Sequence, residues 1–89
     1  MDLYQRIEGE EFKLRNGALI NSVIDLYQSL VEDQIPMDDF MFHAKRNDFS
    51  KWIANTYKED GLANELLDLK TKERYIKTLK KVLKHGNLT

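Results

Sequence analysis

Asn47-Asp48-Phe49-Ser50-Lys51-Trp52-Ile53-Ala54-Asn55-Thr56-Tyr57 is the stretch whose reading decides the fold. Phe49, Trp52, Ile53 and Tyr57 stand at i, i+3, i+4 and i+8. A helix gathers these four large groups on one face, whereas a strand divides them between two. Asn47 and Asp48 ahead of them predict a helix–helix corner, one residue ending a helix in the left-handed conformation and the other capping the next. Asp60-Gly61 then breaks the pattern, and Leu62, Ala63, Leu66, Leu67 and Leu69 predict a short fourth helix.

Upstream, Pro36 opens a helix at a position where a missing N–H is no loss, and Asp38 and Asp39 suit the positive end of its dipole. Phe40, Met41 and Ala44 make its inner face. A helix over about residues 22–33 precedes it, with Val23, Leu26, Tyr27, Leu30 and Val31 as the apolar stripe. Asn21-Ser22 supplies the N-cap, and Ser22-Val23-Ile24-Asp25 fits a loose capping box. Before that, Glu11-Phe12-Lys13-Leu14-Arg15 alternates as a half-buried strand does, and Asn16-Gly17 predicts a type I′ turn back into Ala18-Leu19-Ile20. The last helix starts after Thr71 and turns Ile76, Leu79, Val82 and Leu83 inward, with Gly86 just beyond its end. The fold expected is mostly α: a compact bundle of about five short helices with a small N-terminal β-hairpin. Residues 1–10 form an N-terminal segment, either frayed or a short helix through Leu3, Tyr4 and Ile7. Residues 11–89 form a single helical domain.

Composition fits this reading. The 89 residues are 42% hydrophobic and 10% aromatic, enough for one modest core. There is no cysteine, which excludes a disulfide scaffold, a thiolate zinc site and a cysteine nucleophile. The first eight residues lack the basic start and apolar centre of a signal peptide, and no apolar run reaches membrane-spanning length. A cytoplasmic protein with no membrane partner is expected.

The net charge of −1 conceals an asymmetry. Residues 1–34 carry three basic and seven acidic side chains, and residues 35–69 carry four and seven. Residues 70–89 carry seven basic side chains against Glu73 alone. Lys70, Arg74, Lys77, Lys81 and Lys84 step by four, three, four and three, so they share one face of the last helix, a candidate anion or nucleic-acid face. The simpler expectation is a basic helix lying against its own acidic body.

The densest chemistry lies in Phe40-Met41-Phe42-His43-Ala44-Lys45-Arg46-Asn47-Asp48-Phe49-Ser50. A catalytic reading takes His43 as a general base, oriented by Asp39 one turn earlier, and Ser50 as a nucleophile. A structural reading accounts for the same residues more simply. Asp39 and His43 form an ordinary i, i+4 pair, and Asn, Asp and Ser are favoured at helix ends. No glycine-rich loop or oxyanion-hole motif accompanies them. His85 is remote from His43 in sequence, so no metal motif exists. Phe42 falls off the inner face of its helix, and Leu3, Tyr4 and Met37 have no evident internal place. Such surplus apolar groups are either scattered surface residues or an interface.

The same stretch resembles a prokaryotic family of small helical domains of unknown function, whose pattern is a Phe and a His before an Asn-Asp-Phe-x-x-Trp-Ile core. The matching positions are Phe40, His43, Asn47, Asp48, Phe49, Trp52 and Ile53. Phe12-x-Leu14 before Asn16-Gly17, then Ile20, a Ser-led helix containing Leu26, and the Leu62-Ala63 pair are similar as well. The resemblance covers about residues 12–69, and Asn16 stands where the family more often has aspartate. It implies a compact, mostly helical domain, alone or attached to larger proteins, with no established activity, cofactor or ligand. The function expected is a non-catalytic protein-interaction or regulatory module that binds another protein or itself, with no catalytic residue, cofactor or metal. The alternative is a nucleic-acid-binding domain that uses the basic last helix.

Overall fold

A computed structural model describes the backbone of residues 2–88 and the side chains of residues 2–83. Two short strands, β1 (Phe12–Lys13) and β2 (Leu19–Ile20), precede five helices. These are α1 (Val23–Val31), α2 (Met37–Lys45), α3 (Asp48–Tyr57), α4 (Asp60–Leu66) and α5 (Lys72–Leu88). The expected architecture, a mostly helical bundle behind a small hairpin, is the one observed. α3 packs chiefly on α4, α1 on α5, and α2 on α3.

The strands pair antiparallel, Phe12 opposite Ile20 and Lys13 opposite Leu19. Phe12, Leu14 and Ile20 point into the core while Lys13 and Leu19 face outward. The turn differs from the type I′ expected. Gly17 N–H donates to the Leu14 carbonyl and Leu14 N–H to the Ala18 carbonyl, both at 2.8 Å. Gly17 has φ +95°, whereas Asn16 is not left-handed. The loop is therefore a three-residue one, with Arg15 and Asn16 at its head and Gly17 as the bulge residue. Arg15 is thereby brought into the turn, above α2.

The core is an aromatic network. Phe12 lies against Phe49 (4.7 Å between ring centres), His43 (5.0 Å) and Trp52 (5.6 Å). Tyr75 of α5 meets Phe40 edge-on at 5.1 Å and Phe49 at 5.8 Å. The perpendicular arrangements place positive ring edges on negative faces. Tyr75, which the charge pattern placed among basic residues, is fully buried together with Leu79 and Leu83.

Residues 2–10 contain no helix, and they are tied to the body rather than frayed. Trp52 Nε1–H donates to the Glu10 carbonyl at 2.7 Å, and the Tyr57 hydroxyl donates to the Gln5 carbonyl at 2.7 Å. Ile24 N–H, which has no partner within α1, donates to the Leu3 carbonyl. Leu3 and Ile7 pack against the core. Three of its carbonyls, those of Leu3, Gln5 and Glu10, thus serve the body as acceptors.

Two boundaries also move. α4 begins at Asp60, so Gly61 lies inside it, and the break falls at Lys58, left-handed at φ 58°. α5 continues through Gly86 to Leu88, past its expected end. Among the described residues no helix is long and apolar enough to cross a membrane.

Candidate interaction surface

The motif residues occupy one corner of the molecule, where α2 turns into α3. Asn47 makes the corner with φ 58°, and its side-chain oxygen accepts the Asp68 N–H at 3.0 Å. Asp48 does not cap α3. Its carboxylate instead takes the Nδ1 side of His43 at 3.0 Å. The other ring nitrogen, Nε2, accepts the Arg15 backbone N–H at 3.1 Å. That bond requires a lone pair on Nε2, which puts the proton on Nδ1, facing Asp48. Phe40, Phe49, Trp52 and Ile53 are buried core groups.

The residues of the catalytic reading are not brought together as it requires. Asp39 turns to the hairpin, accepting from Arg15 Nε and from Asn16 Nδ2. The Ser50 hydroxyl is buried and donates to the Ala63 carbonyl at 2.6 Å, linking α3 to α4. Both nitrogens of the buried His43 are occupied by the chain's own groups. Among the described residues no three His, Asp or Glu side chains cluster as metal ligands do.

Outside this corner lies a surface that periodicity did not reveal. The Phe42 ring, half-buried, is held by two guanidinium groups. Arg15 lies 5.0 Å and Arg46 4.9 Å from its centre. Exposed cation–π contacts contribute about 0.5–1 kcal/mol each. An open depression of about 520 Å³ surrounds the ring, lined also by Asp38, Met41 and Lys45. Met41, expected on the inner face of α2, is only partly buried: it packs against the core and, with Met37, lines a second depression of about 360 Å³, bounded by Lys70, Thr71, Lys72 and Glu73 at the start of α5. Met37 is 56% exposed. The Phe42–Arg46 half was legible as an i, i+4 pair on a helix; Arg15 was not, because its place depends on the turn geometry.

The described part of the basic face of α5 is turned to solvent. Lys70, Arg74, Lys77 and Lys81 are exposed, and among the described residues none of their side chains has an ion-pair partner. The Lys84 side chain and His85 lie outside the described side chains. The helix is attached through its apolar face and through Lys72, whose ammonium donates to the Asp33 carboxylate at 2.9 Å and to the Ile35 carbonyl at 2.6 Å. That ammonium holds the Asp33 carboxyl below the usual carboxylate range.

The fold and surface define a small helical domain that presents a decorated helix face. Comparison with protein-family models, curated proteins and solved structures gives no match.

Proposed function

We propose that this chain is a non-catalytic protein-interaction module whose contact surface is the outer face of α2. The observation that carries the reading is Phe42, a large ring held at the surface between two arginines, with Met41 and Met37 in line beyond it. Aromatic residues, methionine and arginine are enriched at protein interfaces, and flexible methionines adapt to a partner's shape. The non-catalytic part is supported by His43 and Ser50, whose polar atoms serve the fold. We place the domain in the cytoplasm, a reducing compartment that a cysteine-free core suits.

Selection from an unbiased random-peptide library tests the reading. Peptides retained by the parent chain and released by Met41→Asp support it, as does a dimer in sedimentation that Met41→Asp dissociates. Peptides indifferent to Met41→Asp overturn it.

A second reading rests on its own observation, the exposed Lys70, Arg74, Lys77 and Lys81 on and just before α5, which have no ion-pair partner among the described residues. Nucleic-acid binding there would weaken steeply with salt through counterion release. Titration with generic DNA and RNA at two salt concentrations tests it. Salt-sensitive binding abolished by Lys77→Glu with Lys81→Glu would favour this reading over the first.

A further inference from the structure

We infer that the partner of the α2 face is an acidic protein segment, with carboxylates seated on Arg15, Arg46 and Lys45 and an apolar side chain laid on Met41 and Met37. This rests on the interaction reading above and names the chemistry of its partner.

The argument starts from how the two arginines are held. Arg15 Nε is bound by Asp39, and Arg46 Nε lies 3.4 Å from the Asp48 carboxylate. The two acids are largely covered, their side chains 11% and 19% exposed, whereas those of the arginines are 45% and 60% exposed. Arg15 is thus fixed along one edge by its hydrogen bond to Asp39, Arg46 is held by a looser ion pair with Asp48, and both guanidinium carbons lie over the Phe42 ring. No described residue takes the remaining N–H groups, which form the edge suited to bidentate carboxylate recognition. Because the forks are oriented in advance, less side-chain freedom is lost on binding.

Charge complementarity selects the occupant. The depression around Phe42 is lined by three cations and one acid, Asp38. At the far end of the strip Lys70 and Glu73 offset each other beside Met37, and Lys72 is already engaged by Asp33. One cationic end continued by methionines matches a segment in which carboxylates adjoin an apolar residue. A nucleic-acid backbone, evenly charged, would be better served by the uninterrupted stripe on α5 than by a surface broken by Met37 and Met41.

The test titrates the full chain, observed by amide NMR, with a synthetic peptide of glutamates flanking two leucines. Counterparts carry lysines in place of the glutamates, or serines in place of the leucines. Expected are saturable shifts at Met37, Met41, Phe42 and Arg46 with the glutamate–leucine peptide and weaker ones with the serine counterpart. Affinity should fall about tenfold in Arg46→Glu and be unchanged in Lys77→Glu. Phe42→Leu, which releases both guanidinium groups while keeping an apolar side chain, should also weaken binding. Equal binding of the lysine peptide, shifts confined to α5, or no saturable binding would overturn the inference. Library peptides that depend on Met41 yet carry no acidic bias would sink this inference and leave the interaction reading standing; loss of that dependence would sink both.

Discussion

His43 joins three elements: its ring packs against Phe12, and its nitrogens hold the hairpin turn through Arg15 N–H and the start of α3 through Asp48. Replacing it with phenylalanine keeps an aromatic ring but leaves a backbone donor and a carboxylate without their partner. His43→Phe should lower stability by about 2–4 kcal/mol, read from the urea midpoint. The histidine was visible in the sequence but its partner was not. Helical spacing pointed to Asp39, whereas the left-handed Asn47 turns the chain so that Asp48 reaches the ring instead. Tyr75 makes the opposite case. Its hydroxyl is buried without a hydrogen-bond partner among the described groups, and burial pushes the phenol up to about 12. Tyr75→Phe should therefore raise stability near neutral pH by about 1 kcal/mol, since it removes an unsatisfied polar group and little volume. The folded chain holds this proton more tightly than the unfolded chain, whose phenol titrates near 10.0. The resulting stability is present below that pH and lost as pH rises toward about 12. Urea midpoints measured at rising alkaline pH should fall less steeply for Tyr75→Phe than for the parent, and parallel decline in the two would refute the assignment.

At the scale of elements, apolar periodicity located every helix, and the errors lie at the joints. A non-glycine residue in the left-handed conformation follows each of the first four helices: Asp33, Asn47, Lys58 and Asp68, with φ of 56–65°. Glycine is the usual signal for such a stop, and here the glycines fall elsewhere, Gly61 inside α4 and Gly86 inside α5. Without a glycine to mark it, a left-handed stop is hard to read from sequence, which is why the start of α4 was placed too late. The conformation costs an L-residue about 1–2 kcal/mol unless its side chain gains something in return. Asn47 gains the bond to Asp68 N–H; for the exposed Lys58 side chain no hydrogen bond or ion pair is described. Lys58→Gly should accordingly stabilise the chain by about 0.5–1 kcal/mol, and Asn47→Gly should not, because it removes the link between the α2–α3 corner and the end of α4. Thermal melts of the two variants separate the cases; equal shifts would mean that the Asn47 side chain contributes nothing.

For the molecule as a whole, the acidic–basic asymmetry is a matter of surface, and cohesion comes from an aromatic core closed by the N-terminal segment. That closure was not legible, because the spacing of Leu3, Tyr4 and Ile7 suggests at most a short helix, whereas the segment acts through backbone carbonyls that any sequence would supply. The candidate site was half legible for a related reason. Phe42 and Met37 stood out as surplus, but the cations around them come together only when the hairpin turn is set down on α2. If the segment closes the core, a chain starting at Glu11 should be much less stable. It loses the acceptors for the Trp52 indole and the Tyr57 hydroxyl, the acceptor for Ile24 N–H, and the packing of Leu3 and Ile7. Three hydrogen bonds at about 1 kcal/mol each and two partly buried side chains at about 1 kcal/mol each suggest a loss near 5 kcal/mol. Domains of this size have total stabilities of about 5–15 kcal/mol, so the truncated chain would stand at or below the threshold of folding. Circular dichroism should show reduced helicity and an early, broad melt. Leu3→Ser in the full chain gives the intermediate case, with a cooperative transition at a lower urea midpoint. A truncated chain that melts like the parent would mean that α3 holds Trp52 and Tyr57 without those carbonyls, and that the core is closed by helix packing alone.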